Sequence, residues 1–480
     1  MNSIQKKISF IIGFMFILVI MINIISGQGI WNIEPFNSSL NDEFYYLKQV
    51  EGVLEYGRPM GYFGFNFSEA KILTFSAWSP LLIYFLAFFS VIFPFVDNPV
   101  YFVNTLLIVF SALFLCNSIK KQPLFFIYIP LISFVLIRSI YSGMSEAVFL
   151  SSAMILFGMI QRKTKLLYQI LFILLISLMK LPFIVFLIVV VLFCDESNRR
   201  THIITLIGGM SAVVAYFIIS YFFCASYFEV TLNHVNIIKL FEINPFNTIA
   251  NIINYVCERL HIVVSLIFSK TFSFEAIIHR LFLILDSLLV VKFLISKYSR
   301  DLIFSSINIL IYFSFLMLYV PDNIGRHILP LVLFLILYLL YYSKHRIIHV
   351  LTILILLLNN IGFLNDNNNL YNSVDQVDLN LDASELSKLN IQKDDYRKNT
   401  IIIEYGNNVN LYKYLYNIKP GFGYNMVREN VLGVNPYNLE YGYIILDDQS
   451  SNIDLLNVQY EIIVNNSEFV LMRHRELFKN

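Results

Sequence analysis

Long apolar segments alternate with short polar ones along most of this chain. The first, residues 8–25, follows Lys6 and Lys7 and is long enough to cross a bilayer. Similar segments recur at 79–96, 101–118, 123–137, 147–160, 166–179, 181–194, 203–224, 277–296, 302–320, 327–343 and 347–363. They predict a polytopic α-helical membrane protein with about eleven or twelve membrane segments, the first retained rather than cleaved as a signal peptide.

The composition agrees with that pattern. Of the 480 residues, 57% are hydrophobic and 14% charged, and the mean hydropathy is +0.67. This is more apolar surface than one soluble core can bury. The net charge of +1 argues against a nucleic-acid partner. The four cysteines show no CxxC spacing, which argues against disulfides and a thiolate metal site.

Basic clusters predict the orientation of the segments, because positive residues favour the cytoplasmic side. Such clusters lie at 120–121, 162–165, 199–200, 297–300 and 344–346. They place residues 27–78, 138–146, 225–276, 321–326 and everything after 363 on the outer side. With residues 27–78 outside and 120–121 inside, the segments 79–96 and 101–118 cannot both cross the membrane. Either 79–96 is re-entrant or interfacial, or Lys120 and Lys121 are an exception to the rule. Residues 225–276 are predicted either to lie over an active site or to form an interfacial helix, and the sequence does not choose.

The last quarter of the chain is much more polar. Residues 1–363, with the first external loop 27–78, are predicted to form the transmembrane domain, 364–399 a linker, and 400–480 a small extracytoplasmic α+β domain. Strands are expected at 400–404 and 443–446, and a short helix at 411–416. Residues 458–464 and 469–472 are expected to form a hairpin.

The first external loop carries a paired acid with aromatic neighbours. Asp42 and Glu43 follow the first segment closely, with Tyr45 and Tyr46 beside them. This position, directly after the first segment, is where a catalytic base would meet a membrane-embedded donor. A solvated loop lying on lipid headgroups is the alternative, and Trp78 at the end of the loop fits either interpretation.

Three further ionisable residues stand at the borders of apolar segments. Glu146 begins one, where it is either functional or favoured by the helix dipole. Lys180 interrupts an apolar run, and it either extends to the interface or neutralises a phosphate. Arg326 has a planar set of donors suited to phosphate, with an ion pair to Asp322 as the alternative.

Four of these motifs, in this order, resemble the GT-C superfamily of membrane glycosyltransferases, which includes aminoarabinose transferases and protein O-mannosyltransferases. The sequence from Asp42 to Tyr46 resembles the acidic motif of the first loop, and Trp78-Ser79-Pro80-Leu81 resembles the helix start that follows it. Ser142 to Glu146 resembles the second acidic motif, where Asp is frequent. Gly325-Arg326-His327-Ile328-Leu329-Pro330 resembles a late motif that usually has Tyr at the position of His327.

The resemblance implies transfer of a sugar from a polyprenyl-phosphate donor to an acceptor on the extracytoplasmic face. Asp42 would be the general base, with Glu43 and Glu146 as further catalytic residues that orient the acceptor. Arg326, Lys180 and Arg138 would bind the donor phosphate. Tyr45, Tyr46, Trp78 and His327 would contact the acceptor or the sugar. A divalent cation, Mg²⁺ or Mn²⁺, would be held by Asp42 and Glu146 if one is used.

Two other classes of membrane protein are alternatives. A polysaccharide polymerase or a lipid-linked oligosaccharide flippase would also be polytopic, but a polymerase is expected to concentrate paired arginines in large late external loops. A transporter would be expected to show repeats and charges at mid-membrane. The predicted location is a bacterial inner membrane, and the predicted partners are the lipid-linked donor, a glycan, lipid or protein acceptor, and membrane lipids.

Overall fold

The structure is a computed structural model of the chain. It describes residues 13, 41–58, 62–65, 80–92, 99–119, 145–193, 199–223, 245–268, 274–318, 321–372, 400–405, 423–428, 441–465 and 469–477. Helices dominate these residues, and a small sheet is built mainly from the C-terminal part of the chain.

The elements follow one another in this order: α1 (Asn41–Tyr56), β1 (Tyr62–Phe65), α2 (Pro80–Ile92), α3 (Pro99–Ser118), α4 (Glu146–Gln161), α5 (Leu166–Met179), a 3₁₀ turn (Leu181–Val185), α6 (Phe186–Phe193), α7 (Arg199–Phe223), α8 (Pro245–Phe268), α9 (Phe274–Ser296), α10 (Ser299–Leu318), α11 (Pro321–Tyr342), α12 (Arg346–Asn372), β2 (Thr400–Tyr405), β3 (Gly423–Arg428), β4 (Tyr443–Asp447), α13 (Asn452–Leu456), β5 (Tyr460–Asn465) and β6 (Phe469–His474).

The chain divides into two compact units. The helical unit takes in residues 1–34, 96–215 and 230–373, and it holds α3 to α6, most of α7, and α8 to α12. The mixed unit takes in residues 35–95, 216–229 and 374–480, and it holds α1, α2 and all six strands.

The predicted apolar segments are helical wherever the structure describes them. Residues 123–137, and 8–25 apart from Gly13, lie outside the described residues. Four described helices are long and apolar enough to cross a membrane: His202–Phe223, Asn247–Phe268, Ser299–Met317 and Gly325–Tyr342. Several others, such as α4 and α5, are apolar but shorter. The chain is therefore a mostly helical membrane protein with a small sheet, and the count of eleven or twelve segments stays a prediction.

Helix α11 is the centre of the helical unit. It packs against α4, α9, α10 and α12, and its side chains from Ile328 to Leu340 are almost completely buried. Phe334 contacts the rings of Phe157 and Phe186, which come from α4 and α6. An α11 buried on all sides fixes the position of whatever its first turns carry.

Helices α9 and α10 are joined by three polar cross-links at different depths. The donor and acceptor atoms are 2.8 Å apart in His279–Tyr312, 2.7 Å in Asp286–Ser305 and 2.5 Å in Lys292–Asp301. As the residue number rises on α9 it falls on α10, so the two helices run antiparallel in a fixed register. The apolar pattern predicted both helices but gave no sign of this pairing.

The sheet of the mixed unit has the strand order β1-β3-β2-β4-β6-β5. In this order the first four strands, β1, β3, β2 and β4, are parallel to one another. Strand β6 is antiparallel to both β4 and β5. Its core contains Ile402, Ile444, Val470 and Met472. The strands expected at 400–404 and 443–446 and the hairpin that ends the chain are all present. The expected helix at 411–416 lies outside the described residues.

Two boundaries differ from the sequence prediction. Strand β1 comes from the segment predicted to be the first external loop, yet it pairs in parallel with β3 of the C-terminal region. Helix α12 continues to Asn372 and so includes the start of the predicted linker 364–399. Short strands give little local signal, and pairing between distant segments leaves none, because it depends on the folded chain. The proposed limits of the domains stay a prediction.

Helix α1 ends at a glycine and is followed by the short α2. Gly57 has a φ of +73° and donates its N–H to the Val53 carbonyl, which closes the helix. The hydroxyl of Tyr84 on α2 donates to the Gly57 carbonyl. The described length of α2 is 13 residues, or about 20 Å, which is less than a bilayer core of about 30 Å. The re-entrant or interfacial placement of 79–96 stays a prediction.

Candidate functional site

A cleft in the helical unit contains three of the residues singled out from the sequence. It is small and partly open to the surroundings, and Lys180, Arg326 and His327 line it. The rest of the lining is apolar and comes from Phe149, Pro182, Phe183, Val185, Phe186, Pro330 and Leu331. Among the lining residues that the structure describes, none is acidic. A lysine and an arginine against an apolar wall favour an anionic ligand with an apolar neighbour.

Lys180 occupies a break between two helical segments. Helix α5 ends at Met179, and Lys180 is extended, with φ −152° and ψ 112°. Pro182 explains the break, because it has no N–H for a helical bond and its ring clashes with a helix continuing through it. The chain resumes as the 3₁₀ turn Leu181–Val185. A proline thus places the lysine at the cleft.

The ammonium group of Lys180 is positioned by α4. Its Nζ donates to Ser145 Oγ at 2.9 Å and lies 5.2 Å from the centre of the Phe149 ring. Ser145 is completely buried. Both contacts come from the first turn of α4 and the residue before it, so Lys180 and this helix end are held as one group.

Arg326 and His327 lie in the second turn of α11. Pro330, four residues after Arg326, provides no N–H to the Arg326 carbonyl, so the helix lacks one of its regular bonds beside the cleft. The His327 ring stacks with Phe315, with 6.3 Å between ring centres. Lys180 and Arg326 are close enough for their charges to interact electrostatically with this ring.

Glu146 lies beside this group but not in the cleft lining. It is 6% exposed, and neither carboxylate oxygen has a hydrogen-bond partner among the residues that the structure describes. Glu146 and Phe149 are three residues apart on α4 and so share a face of that helix. A buried carboxylate without partners is costly, which marks Glu146 as a candidate for contact with a substrate or a cation.

The other predicted site residues are placed less completely. Asp42, Glu43 and Tyr45 lie in the first turns of α1, and their side chains are outside the described part of the chain. Tyr46, on the same helix, is 2% exposed, so stacking on a sugar would require α1 to move. Trp78 and Arg138 lie outside the described residues. The roles of all these residues stay predictions.

Sequence reasoning missed Ser145 and Phe149. Ser145 directly precedes Glu146 and Phe149 follows it by three residues. A serine and a phenylalanine at the start of an apolar helix are unremarkable as residue types. Their relation to Lys180, 35 residues further along in the case of Ser145, exists only after α4 and α5 pack together.

In the described part of the chain, no group of three or more His, Cys, Asp or Glu side chains is arranged to hold a metal ion. Glu146 offers hard oxygen ligands of the kind that Mg²⁺ and Mn²⁺ prefer, but its partners in such a site would have to come from residues whose side chains are not described.

Comparisons with known proteins give one distant likeness. No family model and no curated protein matches the chain. The crystal structure of the Archaeoglobus fulgidus oligosaccharyltransferase, in its apo form, is similar with a TM-score of 0.48 and 10% identity, over 94% of this chain and 70% of that one. A likeness at this level carries no argument about activity.

Proposed function

We propose that this protein is a membrane glycosyltransferase that moves a sugar from a polyprenyl-phosphate donor to an acceptor hydroxyl at the extracytoplasmic face. The observation that supports it is the cleft that Lys180 and Arg326, from separate segments of the chain, line together with apolar side chains. A lipid-linked phosphate needs both properties, because its head is anionic and its chain is apolar.

In this proposal the acceptor oxygen attacks the anomeric carbon and the bond from that carbon to the phosphate oxygen breaks. Polyprenyl phosphate leaves with the bonding electrons, and the acceptor proton passes to Asp42. A single displacement of this kind inverts the anomeric configuration. The role of Asp42 rests on the sequence motif.

Lys180 and Arg326 stabilise the charge that grows on the departing phosphate. Arg326 can donate two parallel hydrogen bonds to phosphate oxygens, and Lys180 acts as a point charge. His327 lines the same cleft, so we assign its ring to the phosphate group rather than to the sugar. Glu43 and Glu146 orient the acceptor, and Arg138 is a weaker candidate for the phosphate.

The test is transfer by the purified full-length protein in lipid, with a panel of polyprenyl-phosphate sugars. We expect turnover with at least one donor and, for Asp42→Asn, a loss of about 100-fold or more. As a control, the wild type and the variant are compared in membrane insertion and thermal stability, which should be the same for both. Binding of donors without turnover would contradict the proposal and favour a polymerase or flippase.

Metal dependence is measured in the same assay by chelation and re-addition of Mg²⁺ or Mn²⁺. If a cation is used, the activity lost on chelation returns with the metal, and Glu146→Gln requires more metal for half-maximal activity. If chelation has no effect, Glu146 acts only on the acceptor.

A further inference from the structure

Helix α8 is long and apolar enough to cross a membrane, but its side chains are arranged in an unusual way for a spanning helix. We propose that α8 is an interfacial helix, lying at the boundary between water and lipid across one end of the helical unit. Three observations on its exposed residues, its contacts and its charges support this.

Most of the exposed side chains of α8 fall into two adjoining stripes. The polar stripe consists of Asn247, Asn254, Glu258, His261 and Ser265, all exposed. The apolar stripe consists of Ile249, Ile253, Val264 and Phe268, which are 49% to 80% exposed. At 3.6 residues per turn the centres of the stripes lie about 100° apart around the helix. Both run along the whole helix.

A third face of α8 packs against the protein through Tyr255, Arg259 and Val263, which are buried. Protein, water and lipid can therefore each cover one face of an interfacial helix. A spanning helix has lipid on every face that the protein leaves uncovered, which would place the polar stripe in hydrocarbon.

The contacts of α8 also show how deep it lies. The Tyr255 hydroxyl donates to the Met317 carbonyl, at the C-terminal end of α10. Given the cross-links between α9 and α10, Met317 is level with the start of α9. Arg280, less than two turns into α9, donates to the carbonyls of Ile267 and Leu266 at the C-terminal end of α8.

These two contacts are incompatible with a pair of spanning helices. From Tyr255 to Ile267, α8 advances by twelve residues, or about 18 Å. In a spanning hairpin with α9, Tyr255 would lie about that far below Ile267, well inside the bundle. Instead both residues contact the same end of the helices, so α8 crosses that end obliquely.

The charges on α8 give the third reason. Glu258 and Arg259 lie near the middle of the helix. In a spanning helix both would lie near the bilayer centre, where an ionisable side chain is costly. In an interfacial helix Glu258 faces water, and Arg259 stacks 4.7 Å from the centre of the Tyr255 ring.

The test uses pairs of residues that are next to each other along α8 but lie on different stripes. In a variant with all four native cysteines replaced, single cysteines are introduced as two matched pairs: Ile253→Cys with Asn254→Cys, and Val264→Cys with Ser265→Cys. Each is labelled in sealed vesicles with a membrane-impermeant maleimide. We expect the polar-stripe member of each pair to react at least about tenfold faster, with both polar positions labelled from the same side. Equal protection within each pair, or labelling of 254 and 265 from opposite sides, would overturn the proposal.

A second measurement needs no substitution. The unmodified protein in lipid nanodiscs is treated with a water-soluble carbodiimide and an amine, and the modified carboxylates are found by mass spectrometry. Glu258 is expected to react like the exposed Asp454, whereas Asp286, 3% exposed between α9 and α10, stays protected. Protection of Glu258 equal to that of Asp286 would show that α8 spans the membrane.

Discussion

Two lysines lie among the apolar helices of the same unit, in opposite surroundings. Lys292 is 3% exposed and lies 2.5 Å from the carboxylate of Asp301, which is itself buried. Lys180 is less buried, donates to the neutral hydroxyl of Ser145, and shares its cleft with the cationic Arg326. One lysine is neutralised by a carboxylate, and the other adds to a positive charge.

The difference separates a charge that joins helices through a carboxylate from charges that line a cleft. The Tyr338 hydroxyl also donates to Asp301, at 2.6 Å, so that group joins α9, α10 and α11. Buried ion pairs of this kind gain little over apolar packing but are costly to break. Lys180 and Arg326 instead line one cleft, so an anionic ligand bound there would contact both of their charges.

The largest effect is expected from removing both cleft charges. The double variant Lys180→Gln and Arg326→Gln should lower transfer by about 10,000-fold, because each of the two donors to the developing phosphate charge is worth about 100-fold. The measurement is kcat and KM for the donor in lipid. Lys344→Gln, an exposed lysine in the turn before α12, is the control and should leave both constants unchanged. A double variant with wild-type activity would remove the phosphate assignment.

The opposite outcome is expected for the buried pair. Asp301→Ala leaves the Lys292 ammonium buried without its carboxylate, which should lower the free energy of unfolding by about 3 to 5 kcal/mol. Thermal unfolding in detergent measures this, with the exposed Asp454→Ala as the control. The double variant Lys292→Met and Asp301→Leu should recover much of the loss. If Asp301→Ala is as stable as wild type but inactive, the pair belongs to the site.

The smallest effect is expected at Ser145. Ser145→Ala removes the hydroxyl that holds Lys180 and should raise the donor KM by about tenfold, since a hydrogen bond to a charged group is worth about 1.5 to 3 kcal/mol. The hydroxyl of Ser145 makes no capping bond to α4, so the helix itself should be unaffected. Ser145→Thr keeps the hydroxyl and should restore the wild-type KM. A lower protein yield with unchanged KM would make Ser145 purely structural.

The sequence predicted the helices well because apolar periodicity is a local property. It also marked Lys180 and Arg326, since an ionisable residue inside or beside an apolar run is visible without a structure. What it could not show is that these two share a cleft, because they lie on segments far apart in the chain. For the same reason Ser145 and Phe149 went unnoticed.

Two features of the fold were in the sequence but were not recognised. The two stripes of α8 follow from its residue order, yet for residues 225–276 an interfacial helix and a segment over an active site were both predicted, and the stripes were not used to choose between them. Asp286, Lys292 and Asp301 were within or beside predicted apolar segments, but which residue pairs with which depends on the register of α9 and α10. Strand β1 left no such trace, because only four residues form it.

The parallel pairing of β1 with β3 has a consequence for the synthesis of the protein. Tyr62–Phe65 leaves the ribosome about 360 residues before its partner strand does, and at about 5 to 20 residues per second this takes roughly 20 to 70 seconds. During that time the nascent chain contains a strand edge with no native neighbour to pair with. A chain truncated before residue 423 would keep that edge permanently, so the sheet can be completed only by a chain synthesised almost to its end.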